Sequence, residues 1–202
     1  MDYKFTKDWF SEAEKVWPLF IPLLPARKSF LEIGSFEGRS MVWTVENMME
    51  DDGFIDCIDT WEGGEEHVAA GEDMGSVEER FTHNMYAVTR KHPERTVYPI
   101  KGLSVLELGA ILADPPEVKK PPAYDFIYID GSHKAKDVLT DACMAWHLLK
   151  PEGVLVFDDY LWGDPRDALH RPKIAIDAFT NIFGEELSII YAGHQLAVRK
   201  NK

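Results

Sequence analysis

The chain has 202 residues, 45% of them apolar, and a formal charge of −13. That length suffices for one α/β domain with a full core, and so acidic a balance argues against nucleic acid and against an anionic membrane surface as general partners. Only two cysteines occur, Cys57 and Cys143, each inside an apolar stretch, which fits buried thiols of a reducing compartment and not a disulfide scaffold. The N-terminus MDYKFTKDWF lacks the apolar core of a signal peptide, and no apolar run is long enough to cross a bilayer, so the expectation is a cytoplasmic protein.

Residues 1–27 carry Trp9, Phe10, Val16, Trp17, Leu19, Phe20 and Ile21, partly at helical spacing, before Pro18, Pro22 and Pro25 break the pattern. They predict one amphipathic helix and a Pro-rich connector, covering one sheet face or lining a substrate pocket. Residues 28–202 then read as one domain. A strand Ser29–Ile33 leads through Gly34 and Gly38 into a helix over Ser40–Met49, stopped by Asp51-Asp52-Gly53. A second strand, Phe54–Ile58, ends in Asp59. Next comes an acidic, Gly-containing loop, with Glu62–Asp73 read as a solvated lid. A helix over Ser76–Lys91 opens on Ser76-Val77-Glu78-Glu79, the pattern of a capping box.

A third strand, Val97–Ile100, leads through Gly102-Leu103-Ser104 into a helix over Val105–Leu112, and Asp114–Pro122 reads as a surface loop. Strand four, Tyr124–Ile129, ends in Asp130-Gly131-Ser132-His133, and a helix over Asp137–Leu149 stops at the turn Lys150-Pro151-Glu152-Gly153. Strand five, Val154–Phe157, ends in Asp158-Asp159-Tyr160. After an irregular stretch, Leu161–Pro172, come a helix over Lys173–Phe183 and two apolar runs, Leu187–Ala192 and Gln195–Val198. The Gly193-His194 break between them predicts an antiparallel hairpin at the sheet edge. Strands alternating with helices imply a parallel sheet with right-handed crossovers.

Glycines or acids end four of these strands, and all four ends lie on one sheet edge, where open α/β sheets bind ligands. Glycine at Gly34 and Gly38 lets backbone approach a ligand that a Cβ would block. An acid in the position of Asp59 can accept hydrogen bonds from a ribose diol. The loop is not the dinucleotide fingerprint, because Phe36 stands where G-x-G-x-x-G needs its second glycine. Asp130, Asp158 and Asp159 converge from strands four and five. Without a cation they would repel and at least one pKa would rise, and a hard divalent ion such as Mg²⁺ would relieve this. The alternative is that one caps the next helix and another is solvated. His83, His92 and His147 read as surface or packing residues of helices, and His67 and His170, in the long loops near the site edge, as solvated loop residues with substrate contact as the alternative.

These motifs resemble those of the class I S-adenosylmethionine-dependent methyltransferases, over roughly residues 28 to 200. Within that class they are similar to the metal-dependent small-molecule O-methyltransferases of the catechol type and to the macrolide sugar O-methyltransferases. Glu32-Ile33-Gly34-Ser35-Phe36-Glu37-Gly38-Arg39-Ser40 resembles the first cofactor motif, which also has a bulky middle residue. The resemblance implies that Glu32, Gly34, Ser35, Phe36, Gly38 and Ser40 border the cofactor. It places Asp59 on the ribose, Thr60 and Trp61 beside the adenine, and Gly102 and Ser104 in the turn flanking it. It puts Asp130 at the cofactor edge and at the metal, with Asp158 and Asp159 as the other metal ligands.

The fold implied is Rossmann-like: seven strands, mostly parallel, the last antiparallel, with helices on both faces. The activity implied is methyl transfer from S-adenosylmethionine to a small hydroxylated acceptor, with Mg²⁺ lowering the pKa of the acceptor hydroxyl. His133, three residues after Asp130, stands where catechol-type enzymes place a lysine base, and an imidazole titrates in the useful range. Its alternative role is capping or packing against the following helix. A metal-independent N- or C-methyltransferase and a non-catalytic S-adenosylmethionine-binding module stay open as rivals. The apolar N-terminal segment and the edge hairpin leave homo-oligomerisation open.

Overall fold

The computed structural model describes residues 2–64, 67, 71, 73–113 and 123–202. Among these, seven strands form one sheet in the order β3-β2-β1-β4-β5-β7-β6. The strands are β1 Ser29–Ile33, β2 Phe54–Asp59, β3 Thr96–Lys101, β4 Tyr124–Ile129, β5 Leu149–Phe157, β6 Leu187–Ala192 and β7 Leu196–Lys200. The first five pair in parallel, and β7 runs antiparallel between β5 and β6. The strand order reverses between β1 and β4, the switch point at which such sheets bind ligands.

Burial explains the order. Every residue of β1 and β4 is buried, as strands covered on both faces require. Edge strand β3 buries only Val97 and accommodates Pro99, which a central strand would exclude.

Alternate strand residues feed two cores. On one face Leu31, Ile33, Ile127, Ile129, Leu155 and Phe157 pack with three helices, α4 Ser104–Ala113, α5 Ala135–Leu148 and α6 Lys173–Ile182. On the other, Phe30, Ile55, Cys57, Phe126, Val154 and Val156 meet α2 Arg39–Trp43, α3 Val77–Lys91 and the N-terminal segment. Both cysteines are free thiols, with Cys57 buried. No helix among the described residues is long and apolar enough to cross a membrane.

Four local expectations change. The N-terminal helix is reduced to α1, Ala13–Val16, followed by two 3-10 turns, Trp17–Leu19 and Ile21–Leu23. Pro18 and Pro22 sit early in those turns, where their missing N–H groups cost nothing. Phe10, Trp17 and Phe20 are nonetheless buried. The helix expected over Ser40–Met49 starts at Arg39 and widens into a π-turn over Thr44–Met48, with Met49 N donating to Thr44 O at 2.9 Å.

The Lys150–Gly153 turn is a bulge inside β5. The register jumps from Tyr124↔Leu149 to Phe126↔Val154, and Glu152 takes φ +65°. The capping box does not form. Ser76 makes no side-chain cap bond. Its hydroxyl instead donates to Asp73 at 3.2 Å and accepts from Arg80. The Asp114–Pro122 loop and half of the Glu62–Asp73 run lie outside the described residues.

Candidate active site

At the end of β1, Gly34 takes φ +86°, and a Cβ there would lie 2.0 Å from the Asp130 carbonyl oxygen. The glycine loop and the β4 end therefore touch backbone to backbone. Gly38 takes φ +77° against Met41 and Phe81. Between them Phe36 also takes a left-handed φ, +47°, a strained choice for a bulky residue.

Asp59 holds that shape. Its Oδ2 accepts from Ser35 N and Phe36 N, both at 2.8 Å, and its Oδ1 from Trp61 N at 2.7 Å. Three of the four acceptor positions of this carboxylate are thus taken by loop backbone, and one remains for a ligand hydroxyl. Trp61 is buried, donates its indole N–H to Phe36 O at 2.9 Å and packs on Phe81. Its neighbour Thr60 accepts from Glu62 N at 3.2 Å.

Glu32 lies beneath the loop, 1% exposed. Burial pushes its carboxyl up to about 8, with the Asp59 charge adding to this and the Ser35 and Ser40 hydroxyls opposing it. Glu32 Oε1 is buried without a hydrogen-bond partner, and the Ser35 hydroxyl is buried beside Glu32 and Cys57. Ser40 is buried in the first turn of α2. Farther along the edge, the Glu107 carboxylate fills the space beside Gly102. The Ser104 hydroxyl bonds Asp141 of α5, holding that buried acid near 6 against the upward push of burial.

An opening of about 400 Å³ lies over the loop, lined by Lys7, Trp9, Phe36, Arg39, Tyr128 and Asp130 among others. Its outer wall is the N-terminal strap. Glu37, 2% exposed, accepts Thr6 N and Thr6 Oγ1 at 2.6 Å each and pairs with Arg80. Asn84 exchanges hydrogen bonds with the Lys4 backbone and donates to Glu37 O. Trp9 packs at a tilt against Phe36 and His67, which stack on each other. His67, read from sequence as a solvated loop residue, is thus part of this aromatic wall, and its Nδ1 accepts Gly64 N at 3.0 Å.

The acids meet next to this opening, in a recess of about 200 Å³ lined by Asp130, Gly131, His133, Asp158, Asp159 and Pro172 among others. Tyr128 OH contacts Asp158 Oδ2 and lies 3.0 Å from Asp130 Oδ2. His133 Nε2 lies 2.8 Å from Asp159 Oδ2, and its ring packs 4.1 Å from that of Trp162. Burial, then the charges of Asp158 and Asp159, holds the Asp130 carboxyl well above the ordinary carboxylate range. Burial and Asp159 raise Asp158 too. The repulsion among the acids expected from the sequence adds to the larger effect of burial.

The donor atoms fall into two overlapping groups. Asp130, His133 and Asp159 bring one atom each within 4.8 Å of one another, and so do Asp158, Asp159 and His194. The three aspartates expected as a set are therefore divided, with Asp159 common to both groups and a histidine in each.

Several contributors escaped the sequence reading. Tyr128 shares a strand face with Asp130, two residues on, so an i, i+2 pattern pointed to it. Gln195 and His194, on the β6–β7 turn, carried no such signal. Gln195 accepts from Trp17 Nε1 at 2.9 Å and bonds Asp158, so the strap side and the last hairpin both reach the acids. Ser132, inside the motif, spends its hydroxyl on Asp137 and Lys134 N at the start of α5. His170 pairs with Asp167 on the surface.

Residues 31–160 match the model of a methyltransferase domain family. No curated protein matches the sequence. Among solved structures, the chain is similar to an O-methyltransferase from Bacillus cereus in complex with SAH. The TM-score is 0.66 at 18% identity, over 98% of this chain and 84% of that one. It is similar to the O-methyltransferase TomG from Streptomyces achromogenes, in complex with SAM, with a TM-score of 0.65 at 18% identity over 95% and 80% of the two chains. It also resembles the MycE methyltransferase of mycinamycin biosynthesis, in complex with Mg, SAH and mycinamycin VI, with a TM-score of 0.59 at 15% identity over 98% and 51%. With the family match spanning more than half of its length and the strand order closing the fold, the chain belongs to the methyltransferase family and has the Rossmann-like class I methyltransferase fold.

Proposed function

We propose that this chain is an S-adenosylmethionine-dependent O-methyltransferase for a small hydroxylated acceptor, assisted by a divalent cation. One observation carries the reading. The backbone contact between Gly34 and Asp130 makes the glycine loop and the acid recess adjoining walls of one site. The unpartnered, buried Glu32 Oε1 fits the ammonium end of an amino-acid-bearing cofactor, and the remaining acceptor position of Asp59 fits a ribose hydroxyl. Asp159 fits a cation together with Asp130 or with Asp158, each pair having a histidine close by, because a positive charge relieves the burial and repulsion that now raise Asp130 and Asp158. The MycE complex with Mg and SAH offers a precedent on the same fold.

When bound, S-adenosylmethionine supplies an electrophilic methyl group and the cation lowers the pKa of an acceptor hydroxyl. The chain's own residues do the rest. Asp59 fixes the loop, and Glu32 anchors one end of the cofactor, so donor and acceptor are held in line, the main source of rate in such a transfer. Asp159, 2.8 Å from His133 Nε2, orients the ring and favours the imidazolium, so the acceptor proton goes to Nδ1, the ring nitrogen that does not face Asp159. Trp9 and Phe36 shield the opening from water.

The test is calorimetric titration of S-adenosylhomocysteine into metal-free protein, followed by transfer assays on catechols and sugars with Mg²⁺ or a chelator. Failure to bind S-adenosylhomocysteine sinks the cofactor assignment. One observation favours a metal-free variant: each acid already has a protein partner, Tyr128 for Asp130 and Asp158 and His133 for Asp159. Transfer undiminished by the chelator selects that variant.

A further inference from the structure

We propose that His194 is a ligand of the divalent cation, completing a mixed nitrogen–oxygen site with Asp158 and Asp159 that takes Mn²⁺ in preference to Mg²⁺. The proposal rests on the metal-assisted reading above and adds a ligand from an element that no cofactor motif includes. His194 Nδ1 lies 3.8 Å from Asp158 Oδ1, too far for a hydrogen bond. Two ligands of one small cation sit roughly 3–4 Å apart, given bonds of about 2.1 Å. One atom each from Asp158, Asp159 and His194 already fits within 4.8 Å.

The position of His194 is built, and does not rest on its own contact alone. Gly193 N donates to Gln195 O at 2.8 Å, closing the turn between β6 and β7. A Cβ on Gly193 would meet the Tyr191 hydroxyl at 2.5 Å, so the residue before the histidine has little room for a side chain. The residue after it, Gln195, is 5% exposed and is hydrogen-bonded both to Trp17 and to Asp158 itself. The histidine is thus delivered to the acids by a neighbour fastened to one of them.

The two imidazoles have different surroundings. His133 sits under Trp162 with Nε2 on Asp159, which suits proton transfer. His194 is 60% exposed in its side chain, which leaves an entry path for an exchanging ion. A site of carboxylates alone suits Mg²⁺, and an imidazole shifts preference toward first-row transition ions.

The experiment uses the full chain with S-adenosylhomocysteine and Mn²⁺, in the wild type, His194→Ala and His133→Ala. Pulsed EPR reads nitrogen coupling to the bound ion, titration reads Mn²⁺ and Mg²⁺ affinities, and calorimetry reads S-adenosylhomocysteine affinity. We expect ¹⁴N coupling in the wild type and in His133→Ala and its loss in His194→Ala. In His194→Ala, Mn²⁺ affinity should fall at least about tenfold, Mg²⁺ affinity less, and S-adenosylhomocysteine affinity not at all. Bound Mn²⁺ without nitrogen coupling, or coupling that survives His194→Ala, overturns the assignment. Absence of Mn²⁺ binding with normal S-adenosylhomocysteine binding overturns it too, while leaving the methyltransferase reading intact. Absence of both kinds of binding removes the proposal together with the reading beneath it.

Discussion

Glu32→Gln should stabilise the protein and weaken its cofactor binding. The carboxyl is 1% exposed, has an unpartnered oxygen and is pushed from the ordinary 4.5 up to about 8. Because the folded-state value is the higher one, the folded protein keeps a proton that the unfolded chain releases between those pH values. Stability therefore falls as pH rises through that window. Each pH unit above 4.5 costs about 1.4 kcal/mol while this difference persists, or about 3 kcal/mol by pH 7 as an upper limit. Glutamine keeps the shape and removes the titration. Urea unfolding of both proteins at pH 5, 6, 7 and 8 should show curves that nearly coincide at pH 5 and separate steadily, with Glu32→Gln up to about 3 kcal/mol more stable at pH 7, or roughly 6–12 °C in Tm. S-adenosylhomocysteine should bind the variant more weakly. A stability gap that is the same at pH 5 and pH 8 would refute the reasoning, since a pH-independent gap cannot come from a buried titrating carboxyl.

Gly34→Ala should cost at least about 2 kcal/mol in urea unfolding, because it places a Cβ 2.0 Å from Asp130 O at φ +86°. A stable variant with an unchanged unfolding midpoint would contradict the contact. Tyr128→Phe removes the hydroxyl shared by Asp130 and Asp158 and should cost about 1–3 kcal/mol in metal-free protein. Added divalent ion should recover part of that loss, and thermal melts with and without the ion check it. Thr6→Val deletes a hydroxyl bond to the Glu37 carboxylate and should cost about 1.5–3 kcal/mol locally, seen as faster hydrogen exchange over residues 4–9 with little change in the sheet. His133→Ala should lower the transfer rate by about 10²–10⁴-fold while leaving S-adenosylhomocysteine affinity within twofold (roughly 0.4 kcal/mol). An equal loss of binding would make His133 a packing residue.

The sheet was legible where chemistry is local. β1 and β4 are short, mostly apolar runs followed by Gly34 and Asp130, and their bounds match the sequence reading. Signals that depend on what lies across a strand misled. Lys150-Pro151-Glu152-Gly153 has turn composition, yet Leu149 before it and Val154 after it both pair with β4, which draws it into β5 as a bulge. Apolar spacing before Arg27 suggested one helix, but Pro18 and Pro22 divide it, and tertiary burial of Trp17 holds the remainder in place.

At the site, the strand-end residues were visible because one sheet edge gathers them. The work of Asp59 on the glycine loop was not, since no pattern tells a ligand-facing carboxylate from a loop-shaping one. His194 was invisible for a topological reason: only the insertion of β7 beside β5 brings residue 194 to residue 158.

That insertion also sets an order of events during synthesis. β5 leaves the ribosome well before β7, and until β7 arrives it presents an unpaired, wholly apolar edge from Val154 to Phe157, the kind of edge that recruits other chains. The acids at its end are incomplete over the same interval, because Gln195 and His194 arrive with the closing hairpin. Maturation of the site and protection of the nascent sheet are therefore one step, and a ribosome-stalled chain ending near residue 185 should be both inert and prone to aggregate.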